Sequence, residues 1–520
     1  MTTRSHGSVT FGTAAGIEER GRHMTETRAK TYGNHIGGEW TEAASGETFE
    51  DRNPANGELI ATYARSGKAD VDRAVKAARG AFERWRLFPA PKRGEILYRV
   101  AGLMAERKED LARAMSREMG KVLAEARGDV QEGIDMAFFA AGEGRRMLGD
   151  TVPAEMPDKF AMSLRMPIGV VGLITPWNFP VAIPSWKSFP ALVAGNTVVL
   201  KPAEDAPDCA RQFTELLLDA GLPEGVYNTV FGYGEEAGTA LVEHSDVAGI
   251  SFTGSTAVGI AIAREAHKTH KKVATEMGGK NAIILLEDAD VDLAVEGSVW
   301  SAFGTAGQRC TAASRMIVHR AVLDEFTEKF VRAAESLALG DPLDESVDVG
   351  PLVNETQLKR VSGYMDVAEG EGAKLLCGGE RATGGDLEGG YFFRPTIWGG
   401  VRHDMRVAQE EIFGPAIAVI PVSSYEEAVK VNNGTPYGLS SAIFTQNVNT
   451  AFKAMRDLYT GITYINAGTI GAEIQLPFGG TKATGGHREV GQQALDSFTE
   501  WKSVYVDYSG KLQKAQIDEI

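Results

Sequence analysis

The 520 residues predict an α/β protein built around a parallel, doubly wound sheet, with a second α/β lobe beside it. Three observations carry that expectation. From Ile168 to His267 short apolar runs alternate with stretches of helical period, the pattern of strands joined by crossover helices. The alternation resumes after Cys310. A chain of this length also outgrows one ordinary hydrophobic core, so two or more lobes are expected.

In chain order, Val71, Ala74, Val75, Ala78 and Phe82 recur at helical spacing, with Asp70 as the expected cap. Helices are expected over 93–106, 109–119 and, as the longest, 125–148. In 151–166, Pro153 and Pro157 precede a short alternating segment, and the strand-like run 500–506 has apolar residues on both faces; such isolated strands need partners. The first sheet should take strands from 168–174, 197–201, 226–231 and 249–253, with helices over 207–220, 235–243 and 256–267. A strand over 315–319 and a helix over 323–337 open the second lobe.

Composition narrows the function classes. Hydrophobic residues make up 43% of the chain, as in ordinary globular proteins, and no uninterrupted apolar run is long enough to cross a bilayer. A formal charge of -16 argues against general nucleic-acid binding, which needs a basic surface. Cys209, Cys310 and Cys377 are few, odd in number and far apart, which speaks for a reducing, cytoplasmic setting without a disulfide framework. Residues 1–23 have no apolar centre and are expected to be a disordered extension, not a secretory signal. His267 and His270, among Lys268, Lys271 and Lys272, read as a solvated helix end, and no metal site is expected.

The stretch from Glu276 to Cys310 carries the chemistry. Gly278 and Gly279 follow the acid and let backbone approach a ligand. An apolar strand over 280–286 comes next, then a helix with Val291, Ala294, Val295 and Val299 on one face, capped by Asp288 or Asp290. Gly304 and Gly307 break that helix just before Cys310. A lone cysteine is usually inert packing. Cys310 instead lies on a glycine-rich turn between Arg309 and Thr311, where a guanidinium would favour the reactive thiolate. Glu276 is the candidate base, for the thiol or for a later water.

Six motifs in order resemble the NAD(P)-dependent aldehyde dehydrogenase superfamily, over roughly residues 30–508. They begin at Thr175, Phe252, Glu276, Gly307, Glu411 and Pro477, and read Thr-Pro-Trp-Asn-Phe-Pro, Phe-Thr-Gly-Ser-Thr, Glu-Met-Gly-Gly-Lys, Gly-Gln-Arg-Cys, Glu-Ile-Phe-Gly-Pro and Pro-Phe-Gly-Gly. The resemblance implies a Rossmann-type NAD-binding domain (24–150 and 167–277), an α/β catalytic domain (278–486), a β oligomerisation arm (151–166 and 487–508) and a tail (509–520). It implies that Cys310 is the nucleophile and Glu276 the base that activates water. Asn178 and the Cys310 amide would hold an oxyanion, and Lys187 and Glu489 would support the proton path.

Thr175, Pro176 and Trp177 stand where generic dinucleotide folds carry Gly-x-Gly-x-x-Gly, in the manner of this superfamily. With Ile174, Gly234, Gly238, Phe252, Ser255, Val258 and Gly278 they are the implied cofactor wall. Lys201 and Glu204 match residues that hold the adenosine ribose, while Glu411 and Phe413 match those that place the nicotinamide ribose and ring. NAD is expected because Glu204 would repel a 2'-phosphate; the neighbouring Lys201 leaves NADP as the alternative.

Phe138, Arg309, Thr311, Gly471, Ala472, Glu473 and Phe478 are the candidate substrate residues. The segment Gly471 to Ile474 is similar to an anchor sequence of aminoadipate-semialdehyde dehydrogenases, and Gln308 to Thr311 also resembles ketoglutarate-semialdehyde enzymes. The implied reaction is oxidation of an aldehyde, expected to be a carboxylate-bearing semialdehyde, through a cysteine thiohemiacetal and thioester. A simple aliphatic or aromatic aldehyde, an acyl-CoA-releasing relative, or a non-catalytic binding or structural protein are the alternatives. A small-molecule aldehyde is the expected partner, with no nucleic acid or membrane, and a homodimer or homotetramer is implied.

Overall fold

Strands covered by helices on both faces bury every side chain and so read as continuous apolar runs. Val170–Ile174 and Thr197–Lys201 are buried at each position and form the centre of a seven-stranded sheet. The computed structural model describes residues 30–517. The extension expected at 1–23, and what was expected of 24–29 and 518–520, lie outside the described residues. Across the sheet the order is Lys272–Glu276, Val247–Thr253, Val170–Ile174, Thr197–Lys201, Tyr227–Thr229, Asn34–Ile36 and Glu39–Thr41. The first five strands run parallel, and the last two are added antiparallel. The chain moves outward from Val170–Ile174 to Tyr227–Thr229, then returns to the other flank of Val170–Ile174 at Val247–Thr253. That reversal leaves a crevice at the carboxyl ends of two neighbouring strands, the place where open α/β sheets bind ligands.

A second seven-stranded sheet has the order Lys374–Cys377, Thr396–Gly399, Ala416–Val422, Ala313–His319, Asn281–Leu285, Ser440–Phe444 and Ile462–Ile465. It is parallel except where Lys374–Cys377 pairs with Thr396–Gly399. Glu276 ends a strand of the first sheet and Asn281 begins a central strand of the second, so the chain crosses between sheets over 277–280. Thr499–Asp507 pairs antiparallel with Lys159–Pro167 along nine residues, and Thr151–Val152 adds a short third strand. The root of this arm is held by Lys272, which donates to the Thr499 carbonyl at 2.6 Å, and by Asn196, which donates to the Phe498 carbonyl at 2.8 Å.

Several local expectations change. The longest of the expected helices is Leu123–Glu143 and ends at Gly144, where the backbone passes so close to Ala90 that a Cβ would meet its carbonyl oxygen at 2.6 Å. Gly67, not Asp70, is the cap of Lys68–Trp85; Asp70 reaches back to the Gly67 amide at 3.1 Å and also accepts from Ala44. Asp290 caps Val291–Phe303, while Asp288 accepts from the Thr445 hydroxyl. The helix expected at 235–243 opens with a wide turn, Gly234–Gly238, before Thr239–Glu243. Helix Ala182–Ala194 was not expected: all 13 residues are buried, so it has no polar face to reveal a helical period.

Candidate active site

Where the chain crosses between the sheets, two glycines admit neighbours that no larger residue would. A Cβ on Gly278 would stand 2.1 Å from a Glu411 carboxylate oxygen, and one on Gly279 would stand 2.7 Å from the Cys310 carbonyl oxygen. The Gly279 amide donates to Glu411 Oε1 at 2.9 Å. Asn281, at the start of its strand, donates through Nδ2 to the carbonyls of Cys310 (2.7 Å) and Ala312 (2.9 Å) and accepts from the Ser440 amide at 3.0 Å. The cysteine turn is thereby fastened to the second sheet. On its other side Thr305, Ala306 and Gly307 all take left-handed backbone, with φ of 52°, 52° and 70°. Glu125 holds this strained turn by accepting from the Thr305 amide at 2.8 Å and hydroxyl at 2.6 Å.

Two cavities meet at Cys310. One is lined by Trp177, Asn178, Gly278, Glu411 and Phe413; the other by Phe179, Trp186, Glu276, Arg309, Thr311, Ala472, Phe478 and Glu489. Cys310, Ile183, Thr253 and Met277 border both. Asn178 donates one amide hydrogen to the Gln308 carbonyl at 2.9 Å. A side-chain amide has two such donors, so the second remains for a ligand at Cys310.

The charges acting on the thiol are negative. Burial first, then Glu411, Glu276 and Glu489, push Cys310 up to about 12. The expected help from Arg309 is a correction: its guanidinium pairs with Glu125 at 3.2 Å, donates to Thr305 Oγ1 at 3.0 Å, and lies over the rings of Trp300 and Phe179. A cation so neutralised does little for the sulfur. Burial, then Glu489, also holds the Glu276 carboxyl well above the usual carboxylate range, with Lys187 and Arg488 offsetting part of the rise. Among the described residues neither Glu276 oxygen makes a hydrogen bond of ordinary geometry, although the Gly480 amide stands close enough to offset a little of the rise. Behind Glu276, Lys187 bonds to the Glu489 carboxylate and to Ser251 Oγ at 2.9 Å.

A groove of about 750 Å³ opens at the crevice of the first sheet. Ile174, Thr175, Pro176 and Trp177 form one side and Phe252, Ser255 and Val258 another, with Lys201, Glu204, Gly234 and Gly238 around them. It shares Pro176, Trp177, Thr253, Gly254 and Ser255 with the Asn178 cavity, so the path runs on to Cys310. A Cβ at Gly234 or Gly238 would meet nothing within 4 Å, which leaves room for a ligand. Ser255 opens helix Thr256–His267 without a side-chain cap, so the first-turn amides lack partners among the described residues and suit a pyrophosphate. Lys201 and Glu204 are bonded at 2.9 Å on the wall. At the inner end Trp177 meets Phe413 edge-on at 5.6 Å, and Phe413 takes a left-handed φ of 63° while Gln357 Nε2 donates to the Phe413 carbonyl at 2.5 Å. These features fit a nicotinamide dinucleotide.

The model of the aldehyde dehydrogenase family matches residues 40–504. The chain belongs to that family. It is 44% identical over 483 residues to the alpha-ketoglutaric semialdehyde dehydrogenase of Bacillus subtilis, covering 92% of this chain and 99% of the relative. The alpha-ketoglutarate semialdehyde dehydrogenase of Haloferax volcanii is 41% identical, covering 91% and 99%. Among solved structures, betaine aldehyde dehydrogenase of Staphylococcus aureus in complex with NAD+ superposes with a TM-score of 0.91 at 34% identity, covering 92% of this chain and 95% of that one.

In this aldehyde dehydrogenase the expected substrate residues divide. Arg309, Thr311, Gly471, Ala472 and Phe478 line the chamber beside Cys310. Phe138 does not: it is 47% exposed and leans on Tyr98. Glu132 is the residue of that helix in the chamber wall, and six residues later the helix has turned about 240° away from it. Glu473 is also outside, exposed and accepting from Gln475 at 2.8 Å. Residues that sequence reasoning missed include Glu132, whose carboxyl burial pushes up to about 8, and Ile183 and Trp186 from the unexpected helix. Asn281 and Gln357 were also missed; each acts on backbone far along the chain, and no local pattern signals that.

Proposed function

We propose that this aldehyde dehydrogenase oxidises a carboxylate-bearing semialdehyde to the acid with NAD, through a thiohemiacetal and then a thioester on Cys310. The observation that carries this reading is the position of Cys310 between two cavities, with Asn178 on the cofactor side and Glu276 on the substrate side. The Cys310 thiol gives its proton to the surrounding carboxylates as its sulfur bonds to the aldehyde carbon. The resulting oxyanion accepts from the free Asn178 N–H and the Cys310 amide, donors worth about 3 to 4 kcal/mol each. When bound in the groove, the dinucleotide supplies the acceptor for the hydride lost by that carbon. Glu276 then takes a proton from the water that cleaves the thioester, releasing the acid and restoring the thiol. Glu489, Lys187 and Ser251 carry the surplus proton away from Glu276.

The two semialdehyde dehydrogenase relatives support the substrate class, and so does the chamber. Arg309 and Thr311 stand in its wall, and Glu132 at about 8 is mostly protonated at neutral pH, able to donate to a substrate carboxylate. Support for NAD over NADP comes from Glu204, which would face the ribose hydroxyls. Residues 24–150 and 167–277 are assigned to cofactor binding, 278–486 to catalysis, and 151–166 with 487–508 to assembly of a cytoplasmic homodimer or homotetramer. Among the described residues no helix is long and apolar enough to cross a membrane, and no cluster of His, Cys, Asp and Glu could hold a metal ion.

The test is NADH formation with semialdehydes of four to six carbons bearing a terminal carboxylate, set against uncharged aldehydes of equal length, with and without coenzyme A. Higher kcat/KM for the charged series, independent of coenzyme A, is expected. No advantage for the charged series rejects the substrate class, and a coenzyme A requirement rejects hydrolysis by Glu276.

A further inference from the structure

Segment 466–477 forms one wall of the substrate chamber, which Gly471 and Ala472 reach. Its ends are firmly held. Asn466 exchanges hydrogen bonds with the Thr445 amide and carbonyl at 2.9 and 3.0 Å. The Thr469 amide donates to Ser301 Oγ at 3.0 Å, and its hydroxyl donates to the Thr311 carbonyl at 2.7 Å. Further on, the Ile474 carbonyl accepts from the Gly491 amide at 2.8 Å. Between these anchors residues 470–473 have, among the described hydrogen bonds, one tie beyond the segment: the Tyr464 hydroxyl donates to the Gly471 carbonyl at 2.5 Å. Gly471 has a φ of 111° and open space where a Cβ would stand, so neither packing nor an ordinary backbone well fixes it. Tyr464 itself sits on Ile462–Ile465, a strand paired with Ser440–Phe444 in the second sheet. Its ring is near enough to Cys310 and Glu132 for both to act on the phenol.

We infer that Tyr464 is a positioning residue that sets where Gly471 and Ala472 stand in the chamber, and so how well the enzyme holds the end of the substrate remote from the aldehyde. This rests on the reading of that chamber as the substrate's. Tyr464→Phe removes the hydroxyl and keeps the ring. The readout is the ratio of kcat/KM for hexanal to that for propanal, uncharged aldehydes of which the longer extends further from Cys310. The ratio should fall by about 5-fold, the worth of one neutral hydrogen bond, through KM for hexanal. Gly471→Ala, which strains the same backbone without meeting an atom, should shift the ratio in the same direction. An unchanged ratio in both variants, or equal losses for the two aldehydes, overturns the inference. Turnover of propanal by the unaltered enzyme reports separately on the proposed reaction, and neither aldehyde depends on the carboxylate preference.

Discussion

Cys310, the proposed nucleophile, is surrounded by acids, and that governs its behaviour before any ligand arrives. With the thiol pushed up to about 12, on the order of one in ten thousand is ionised at pH 8. Alkylation of the cofactor-free enzyme by iodoacetamide should therefore still climb about tenfold per pH unit at pH 9, since the thiolate is the reacting form. Glu411 is the largest of the charged causes, so Glu411→Gln should lower the thiol pKa and speed alkylation at pH 8, while weakening NAD binding. A rate that levels off below pH 8, or a slower variant, counts against this electrostatic picture. Glu276→Gln removes another of those charges and also the proposed base. It should release about one equivalent of NADH quickly and then turn over roughly 100- to 10,000-fold more slowly. Absence of that burst, with hydride transfer itself slowed, would place Glu276 in the wrong step.

Elements differ in how openly the sequence declares them. Val170–Ile174 and Thr197–Lys201 announce themselves as short apolar runs, because a strand buried on both faces has that composition and length. Ala182–Ala194 is equally buried, yet Pro184 and Pro190 interrupt it and no polar stripe marks its turn, so the helix that carries Trp186 and Lys187 stayed hidden. The cysteine turn was visible through its glycines, but not what fastens it. Asn281 does so from the next strand, with three hydrogen bonds to backbone groups of Cys310, Ala312 and Ser440. Asn281→Ala leaves those groups unpaired in a buried place, at about 1 to 3 kcal/mol for each. A lower melting temperature and a reduced kcat are expected together. A variant that melts lower but keeps its kcat shows that the turn holds Cys310 without Asn281.

At the scale of the whole molecule, the site is assembled from three distant parts of the chain: the crevice of the first sheet, the cysteine turn of the second, and the segment that ends at Glu489. Motifs told which residues belong together, whereas their spacing along the chain carried no distances, which is why Phe138 and Glu473 were grouped with Arg309 and fall outside the chamber. The arm presents the remaining question of scale. Strand Thr499–Asp507 is nine residues long, pairs on one side with Lys159–Pro167, and leaves its other edge without a strand partner among the described residues. Trp501 and Tyr505 are 55% and 75% exposed on it, with Phe160 and Leu164 exposed on the neighbouring strand. A long edge strand carrying exposed aromatic residues invites pairing, and so small a sheet gains little stability alone, so a second copy of the chain is the expected cover. Trp501→Glu combined with Tyr505→Glu alters exposed side chains and spares the hydrogen bonds that Lys272 and Asn196 make at the arm's root. Sedimentation velocity should find the unaltered protein as a dimer or tetramer and the double variant as a smaller species at the same concentration. If the unaltered protein sediments as a monomer, self-association through the arm is rejected; if only the variant's mass is unchanged, the copies meet through another face.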